Sequence, residues 1–257
     1  MPLIQEPIPI STTLDGRIAV VIGGGRGIGR ATALTLASAG AQVIVAARTA
    51  TELNSVAAEI ESNGGQAAAR PLDITQSRQV QAFADELRAT NGRVDILVNS
   101  AGASFIGSLD DSSEAEWDRM IDTNLKGPYL CIRAMLDLLR ASESPWVINL
   151  ASKVGLTGFA QVSAYTAAKS GLVGFGRALA QELGAENIRV ITLCPGPVDT
   201  PMRWAATPDL DPNLTIPAET VAETILFLVS LDSRVTVRSE LVMEALGYHE
   251  SAVHLGH

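Results

Sequence analysis

The sequence predicts an α/β fold, in which a doubly wound parallel β-sheet carries helices on both faces. Six short runs rich in Val and Ile show little polar alternation, which is typical of strands buried on both faces of a parallel sheet. Helix-length segments separate these runs, and a β-α alternation with right-handed crossovers builds such a sheet. The chain has 257 residues, of which 47% are hydrophobic, so one domain can bury a large apolar core.

The apolar runs predict the strands in chain order. They are Arg17–Ile22, Gln42–Ala47, Gln66–Leu72, Val94–Asn99, Pro145–Ala151 and Ile188–Cys194. The segments between and after them predict helices near 27–39, 50–63, 76–90, 113–140, 162–184 and 218–230. Gly40 and Gly184 stand where helix C-termini are expected, and Ser113 with Glu116 has the spacing of a capping box. Ligands of such a sheet bind beyond the carboxyl ends of the strands, so we expect the site there.

No linker, low-complexity tract or repeat period divides the sequence. We therefore interpret residues 15–247 as one domain, preceded by a Pro-rich N-terminal arm (1–14) and followed by a C-terminal tail (248–257).

Charge and composition disfavour several classes of function. The chain has 28 acidic and 19 basic side chains and a net charge of −9, whereas nucleic acids and anionic membranes require a positive surface. The first residues lack the basic and apolar segments of a signal peptide, and no apolar run reaches the roughly 18 residues of a membrane span. We expect a soluble, cytoplasmic protein that binds neither nucleic acid nor membrane.

The positions of cysteine and histidine argue against a disulfide framework or a metal centre. Cys131 and Cys194 stand alone, and all three histidines lie in the last nine residues. A Ser-His-Asp hydrolase or a His-ligated metal enzyme would have to build its site from that tail. We predict no metal site, and chemistry based on other residue types.

A glycine-rich turn follows the first predicted strand and opens the first helix. Gly23, Gly27 and Gly29 form a GxxxGxG pattern, in which the missing side chains let the backbone approach a pyrophosphate at the helix N-terminus. A Walker loop is excluded because Arg30-Ala31 replace the required Lys-Ser/Thr, and GxGxxG spacing fails at Ile28. The alternative is an ordinary glycine-rich strand-helix turn.

Two arginines near the second strand end indicate which dinucleotide binds. Sites that prefer NAD place a carboxylate about 20 residues after the glycines, but no Asp or Glu occurs between Asp15 and Glu52. Arg48 follows the second strand and Arg26 lies within the glycine turn. Guanidinium groups bind a phosphate through charge-assisted hydrogen bonds, so we predict NADP(H) in preference to NAD(H). The alternative for Arg48 is a solvated residue at a helix start.

A tyrosine and a lysine stand four residues apart on a predicted helix. Tyr165 and Lys169 therefore share one helix face, and a nearby lysine cation would lower the phenol pKa from its usual value of about 10. Ser152, at the end of the fifth strand, could hydrogen-bond a substrate oxygen. The alternative is an ordinary surface Tyr-Lys pair.

Taken in order, these motifs resemble the short-chain dehydrogenase/reductase family, and in particular its 3-oxoacyl-(acyl carrier protein) reductase-like members. The resemblance covers about residues 14–230 and includes Asn99-Ser100-Ala101-Gly102 and Pro195–Thr200. It implies a single-domain Rossmann-type catalytic domain with the tetrad Asn124, Ser152, Tyr165 and Lys169. Tyr165 would be the acid/base, Ser152 would orient the carbonyl, Lys169 would bind the nicotinamide ribose and lower the Tyr165 pKa, and Asn124 would hold a water linking Lys169 to solvent.

The resemblance also implies a set of cofactor contacts. Asp73 and Ile74 would flank the adenine, Asn99 would close the nucleotide site, and Pro195–Thr200 would lie beside the nicotinamide. The predicted cofactor-binding residues are Gly23, Gly25, Arg26, Gly27, Ile28, Gly29, Arg48, Asp73, Ile74, Asn99, Ala101, Gly102, Tyr165, Lys169, Pro195, Gly196, Val198 and Thr200.

The sequence departs from the family pattern in three places. Ile22 replaces the usual Thr, Ser100 replaces the commoner second Asn, and the late Val-Asp-Gly-Gly ending is missing. A seventh strand at about 240–244 is still expected. We predict a homo-oligomer (dimer or tetramer).

Substrate selectivity is expected between Thr200 and Pro217, which is interpreted as a lid. The residues expected to line the substrate pocket are Ser104, Phe105, Val154, Phe159 and Trp204, and core packing is the alternative for each aromatic.

These observations predict an NADP(H)-dependent oxidoreductase that interconverts a small-molecule carbonyl (ketone, aldehyde or β-ketoacyl group) and an alcohol. The alternatives are a dinucleotide-binding regulatory or scaffold protein and, with less support, a Rossmann-type methyltransferase.

Overall fold

The computed structural model describes residues 13–237 and 240–246, which contain one seven-stranded sheet. Every neighbouring pair of strands is parallel, and the strand order is β3-β2-β1-β4-β5-β6-β7. The strands are β1 Ile18–Ile22, β2 Gln42–Ala47, β3 Gln66–Pro71, β4 Ile96–Asn99, β5 Trp146–Leu150, β6 Arg189–Pro195 and β7 Glu240–Met243. The predicted Rossmann-type doubly wound sheet is confirmed, and so is a seventh strand at about 240–244.

Helices connect the strands and cover both faces of the sheet. They are α1 Gly27–Ser38, α2 Ala50–Ser62, α3 Ser77–Thr90, α4 Glu114–Ile121, α5 Gly127–Ala134, α6 Leu136–Arg140, α7 Val154–Thr157, α8 Ser163–Glu182, α9 Pro201–Ala206 and α10 Ala218–Val229. No helix within the described ranges is long and apolar enough to cross a membrane.

The sheet divides the core into two layers, which explains why its central strands lack polar alternation. In β1, Ala19 and Val21 face one layer, which α1, α2 and α10 cover. Ile18, Val20 and Ile22 face the other layer, against α3, α5 and α6. Because both faces are covered, all five β1 residues are buried.

The single helix predicted over 113–140 is wrong in its middle and its end. The structure divides it into α4, a π-helical turn at Asp122–Lys126, α5 and α6. Within the π turn, the Asn124 amide donates hydrogen bonds to the carbonyls of Ala103 (2.9 Å) and Met120 (3.0 Å). Pro128 follows at the start of α5, where its missing N–H is accommodated by the wider turn. The break thus brings Asn124 against the loop that follows β4.

The helix ends largely follow the predicted signals. The Ser113 side chain accepts a hydrogen bond from the Glu116 backbone N–H, as expected of a capping box. Gly40 follows α1 with a φ of +97°, which confirms a C-terminal glycine there. Gly184 does not take that position, because a 3₁₀ turn at Leu183–Glu186 extends α8 and Asn187 adopts the left-handed conformation instead.

Strand β4 begins two residues later than predicted. The Val94 N–H donates to the Leu138 carbonyl in α6 rather than to a neighbouring strand. The arm through residue 12, and the tail from Gly247 with its three histidines, lie outside the described residues. The domain bounds 15–247 stay a prediction.

Candidate active site

A cleft of about 230 Å³ opens beyond the carboxyl ends of β1, β2 and β4. The chain winds away from β1 towards β3 on one side and from β4 towards β7 on the other, so the cleft lies at the switch in strand order. The predicted cofactor-binding residues that line it are Gly23, Gly25, Arg26, Gly27, Ile28, Arg48, Asp73, Ile74, Ala101, Gly102, Tyr165, Lys169 and Thr200.

The glycine turn fits a bound dinucleotide on steric grounds. Gly23 has a φ of +80°, and a Cβ there would lie 2.5 Å from the Ala101 backbone nitrogen. A Cβ on Gly29 would collide with the Gly23 carbonyl oxygen. Gly29 therefore does not line the cleft, but lets α1 begin directly against the turn. The missing side chains leave a backbone cradle at a helix N-terminus, which suits a pyrophosphate.

One end of the cleft is lined by both predicted arginines and by a carboxylate that was not among the predicted site residues. Arg26, Arg48 and Glu52 all line the cleft, and Arg26 Nη1 lies 3.9 Å from Glu52 Oε1. No carboxylate stands at the tip of β2 itself, as expected, but Glu52 of the following helix also lines the cleft. Glu52 lies in the first turn of α2, and no sequence pattern indicates that its carboxylate meets Arg26 of the glycine turn.

Asn99 does not line the cleft. Its buried side chain donates a 2.9 Å hydrogen bond to Asn149 Oδ1 on β5, and the register places Asn99, Asn149 and Thr192 side by side across β4, β5 and β6. This hydrogen bond joins β4 to β5, and closure of the nucleotide site by Asn99 stays a prediction. Asp73, which does line the cleft, accepts hydrogen bonds from the Thr75 N–H and hydroxyl.

A second pocket of about 190 Å³ adjoins the cleft. Ser152 and the predicted nicotinamide-side residues Pro195, Gly196 and Val198 line it. The residues common to both linings are Ile28, Ala151, Tyr165, Thr200 and Met202. A group bound in the cleft and a molecule bound in the pocket would therefore meet beside Tyr165.

The lining of the second pocket agrees only in part with the expected substrate-binding residues. Ser104, Val154 and Phe159 line it. Phe105 instead packs against the buried cluster of Ala103, Met120 and Ala164. Trp204 donates its indole N–H to Asp199 Oδ1 at 2.7 Å.

Helix α8 and the loop after β5 bring Tyr165, Lys169 and Ser152 together. Ser152 hydrogen-bonds the Tyr165 side chain. Lys169 is buried, with 4% of its surface exposed, and its Nζ donates a 2.7 Å hydrogen bond to the Leu150 carbonyl. The same Nζ lies 5.7 Å from the centroid of the Tyr165 ring. The surface-pair alternative is therefore wrong, because the lysine is buried and faces the cleft.

Burial controls the ionisation of both side chains. It raises the pKa of Tyr165, and the hydrogen bond from Ser152 and the positive charge of Arg203 oppose this rise. The predicted lowering of the Tyr165 pKa by Lys169 is thus not what this arrangement shows. Arg203 acts there instead, from the third position of α9, and nothing in the sequence pattern pointed to it. Burial also lowers the pKa of Lys169 to about 8.

Asn124, the remaining member of the predicted tetrad, is buried behind the loop after β4. Its Oδ1 accepts a 3.2 Å hydrogen bond from the Ala103 N–H, and its amide nitrogen donates to Ala103 and Met120. These bonds hold the Ala101-Gly102-Ala103 segment, part of which lines the cleft. No cluster of three or more His, Cys, Asp or Glu within residues 13–237 and 240–246 has a metal-binding arrangement.

Comparison with known proteins identifies the family. The short chain dehydrogenase family matches residues 17–211. This chain is a short-chain dehydrogenase/reductase. Its catalytic candidates and its cleft lie largely within the matched range.

Individual members of the short-chain dehydrogenase/reductase family are similar to it over most of their length. The (2S)-[(R)-hydroxy(phenyl)methyl]succinyl-CoA dehydrogenase subunit BbsD of Thauera aromatica is 34% identical over 86% of this chain and 92% of its own. The 3-oxoacyl-[acyl-carrier-protein] reductase FabG of Escherichia coli is 34% identical over 84% and 91%. A metagenomic short-chain oxidoreductase crystallised in complex with NADP is 35% identical, covers 91% of this chain and 98% of its own, and superimposes with a TM-score of 0.80.

Proposed function

We propose that this short-chain dehydrogenase/reductase interconverts a carbonyl compound and an alcohol, with NADP(H) as hydride carrier and Tyr165 as the acid/base. The observation that carries the proposal is the position of Tyr165, which lines both the dinucleotide cleft and the adjoining pocket. The 3-oxoacyl reductase named above supports a ketone, aldehyde or β-ketoacyl group as the substrate class.

Each side chain of the site has a separate role in carbonyl reduction. The carbonyl carbon would receive its hydride from a dinucleotide held in the cleft. Ser152 orients the carbonyl oxygen by a hydrogen bond, and Tyr165 donates its phenolic proton to that oxygen as negative charge develops on it. Because burial raises the pKa of Tyr165, the phenol holds this proton at neutral pH. Lys169 places a cation where the nicotinamide ribose would lie, and Asn124 positions the loop opposite.

The arginine after β2 and the arginine in the glycine turn support NADP(H) over NAD(H). Arg26 and Arg48 line the cleft, and charge-assisted hydrogen bonds to a phosphate each contribute about 1.5–3 kcal/mol when well formed. The NADP complex of the metagenomic relative is consistent with this choice. Homo-oligomerisation, a cytoplasmic location and the domain bounds stay predictions.

The test is oxidation of NADPH and NADH, followed by absorbance, across a panel of ketones, aldehydes and β-ketoacyl thioesters. We expect kcat/KM to favour NADPH by at least about tenfold, equivalent to 1.4 kcal/mol. Arg48→Ala should lose most of this preference by weakening NADPH alone. Ala47→Asp should reverse it, because a carboxylate repels the phosphate and accepts ribose hydroxyl bonds. Failure of every carbonyl with both cofactors contradicts the reductase function, and equal use of NADH by the wild type contradicts the cofactor preference.

A further inference from the structure

The carboxylate of Glu52 reaches into the glycine turn of the cleft. Its Oε1 lies 3.9 Å from Arg26 Nη1. On the other side, a Cβ on Gly25 would lie 3.1 Å from Glu52 Oε2. The missing side chain of Gly25 therefore leaves room for Glu52 in this position. Its own side chain is 37% exposed, so the carboxylate faces the opening of the cleft rather than the core.

The charges at this end of the cleft are few. Near the glycine turn and the end of β2, the cations that line the cleft are Arg26 and Arg48, and the anions are Glu52 and Asp73. Asp73 already accepts two hydrogen bonds from Thr75. Glu52 also lies in the first turn of α2, where the helix dipole favours a negative charge. The Glu52 carboxylate thus occupies a helix N-terminus, which is a position that favours a bound anion.

We infer that Glu52 competes with the 2′-phosphate of NADP(H) for Arg26 and so limits how strongly the cleft discriminates against NAD(H). A 2′-phosphate carries close to two negative charges at neutral pH. To bind it, Arg26 must turn from Glu52 to the phosphate, and the two anions then face each other across the turn. A ribose hydroxyl lacks this conflict, since it can donate a hydrogen bond to the carboxylate. The inference rests on the proposed dinucleotide site and adds one residue that determines its specificity.

The direct test removes the charge of Glu52 and keeps its shape. We compare wild type and Glu52→Gln by calorimetric titration with 2′,5′-ADP and with 5′-AMP, at low ionic strength. These probes differ only in the 2′-phosphate and need no turnover. We expect 2′,5′-ADP to bind at least about threefold more tightly to the variant, because Arg26 no longer pairs with a competing carboxylate and is available to the phosphate. Binding of 5′-AMP should be unchanged or weaker.

Glu59→Gln is the matched control. Glu59 lies on the same helix, its side chain is 38% exposed, and it pairs with Arg30 at 2.6 Å outside the cleft lining. This variant changes the net charge equally, so it should leave the ratio of the two dissociation constants as in the wild type. An equal change in both variants would mean that overall charge, not competition at the cleft, causes the effect, and would overturn the inference.

Repeating the substitution in an Arg26→Ala background tests the competition itself. In this background, Glu52→Gln should strengthen the binding of 2′,5′-ADP by less than about twofold, because the arginine for which the two anions compete is absent. A gain that persists in full contradicts the competition for Arg26. An unchanged or lower preference for 2′,5′-ADP in the single variant would show that Glu52 instead holds Arg26 ready for the phosphate. The binding measurements need no carbonyl substrate. They can therefore contradict this inference without contradicting the proposed reductase function.

Discussion

Tyr165 lines both the dinucleotide cleft and the adjoining pocket, and its side chain is hydrogen-bonded to Ser152. We predict that Tyr165→Phe lowers turnover by at least about a hundredfold, because it removes the proton donor and leaves the ring in place. Cofactor binding, measured by fluorescence titration, should be nearly unchanged. Tyr129→Phe is the control, since Tyr129 is 40% exposed on α5 and lies outside both linings. Near-normal turnover of Tyr165→Phe would remove this residue from the mechanism.

Lys169 reduces the stability of the fold at neutral pH. Burial lowers its pKa from 10.5 to about 8, so below pH 8 the folded protein must keep a charge that the interior disfavours. Between about pH 8 and 10.5 the unfolded chain binds more protons at this residue than the folded chain, and stability rises with pH there. We predict that Lys169→Met raises the Tm at pH 7, abolishes most turnover, and loses its thermal advantage as the pH approaches 10.5.

Calorimetry across this pH range checks the prediction for Lys169. Lys126→Met is the control, because Lys126 is half-exposed and pairs with Asp122 on the surface. Its Tm difference from wild type should not shrink over the same range. A lower Tm for Lys169→Met at pH 7 would show that the hydrogen bond to Leu150 outweighs the cost of burying the charge.

At the scale of elements, two glycines in helices should respond oppositely to the same substitution. A Cβ on Gly29 meets backbone atoms of Gly23 and Gly24, which have no free space to move into, so Gly29→Ala should lower stability and dinucleotide affinity together. Gly174 is exposed in the middle of α8, and a Cβ there would meet no heavy atom within 4 Å. Gly174→Ala should raise the free energy of unfolding by about 0.5–1 kcal/mol, the helix propensity gain of alanine. Denaturant titration of both variants decides this, and an equal loss in both would refute the steric argument for Gly29.

The strands could be predicted more closely than the helices, and the reason is local. A strand that is buried on both faces has an unbroken run of apolar residues, as β1 does. The break at Asp122–Lys126 depends instead on Asn124 bonding to Ala103, which lies 21 positions earlier in the chain. The helical spacing of apolar residues continues through such a break, so the sequence pattern does not reveal a tertiary contact of this kind.

Site residues could be predicted where a motif requires one residue type. They could not be predicted where a residue belongs to the site only because the fold brings it close to the other site residues. The glycines, Tyr165 and Lys169 belong to the first kind. Glu52 and Arg203 belong to the second, since each reaches the site from the first turn of a helix whose direction only the assembled fold determines. Asn99 also belongs to the second kind in one respect, because its hydrogen bond to Asn149 on the next strand depends on the order of the strands in the sheet.

At the scale of the whole molecule, we predict association of two or four copies in solution. Among the described residues, large apolar side chains remain exposed on separate elements, including Trp117, Tyr129 and Phe227. Such side chains are buried in the interfaces of many oligomers. Light scattering coupled to size-exclusion chromatography measures the mass directly, and a monomer at micromolar concentration would contradict the prediction.

The pairing of β1 with β4 has a consequence for how the chain folds during synthesis. Once β1, β2 and β3 have left the ribosome they can pair with one another, but the other edge of β1 has to wait for β4. About 70 residues separate the two strands, which at a synthesis rate of roughly 5–20 residues per second leaves this edge uncovered for about 4 to 15 s. The uncovered edge belongs to the most hydrophobic strand of the nascent half, IAVVI. Nascent chains halted before residue 96 should therefore aggregate or bind chaperones, and chains extended past residue 99 should do so less.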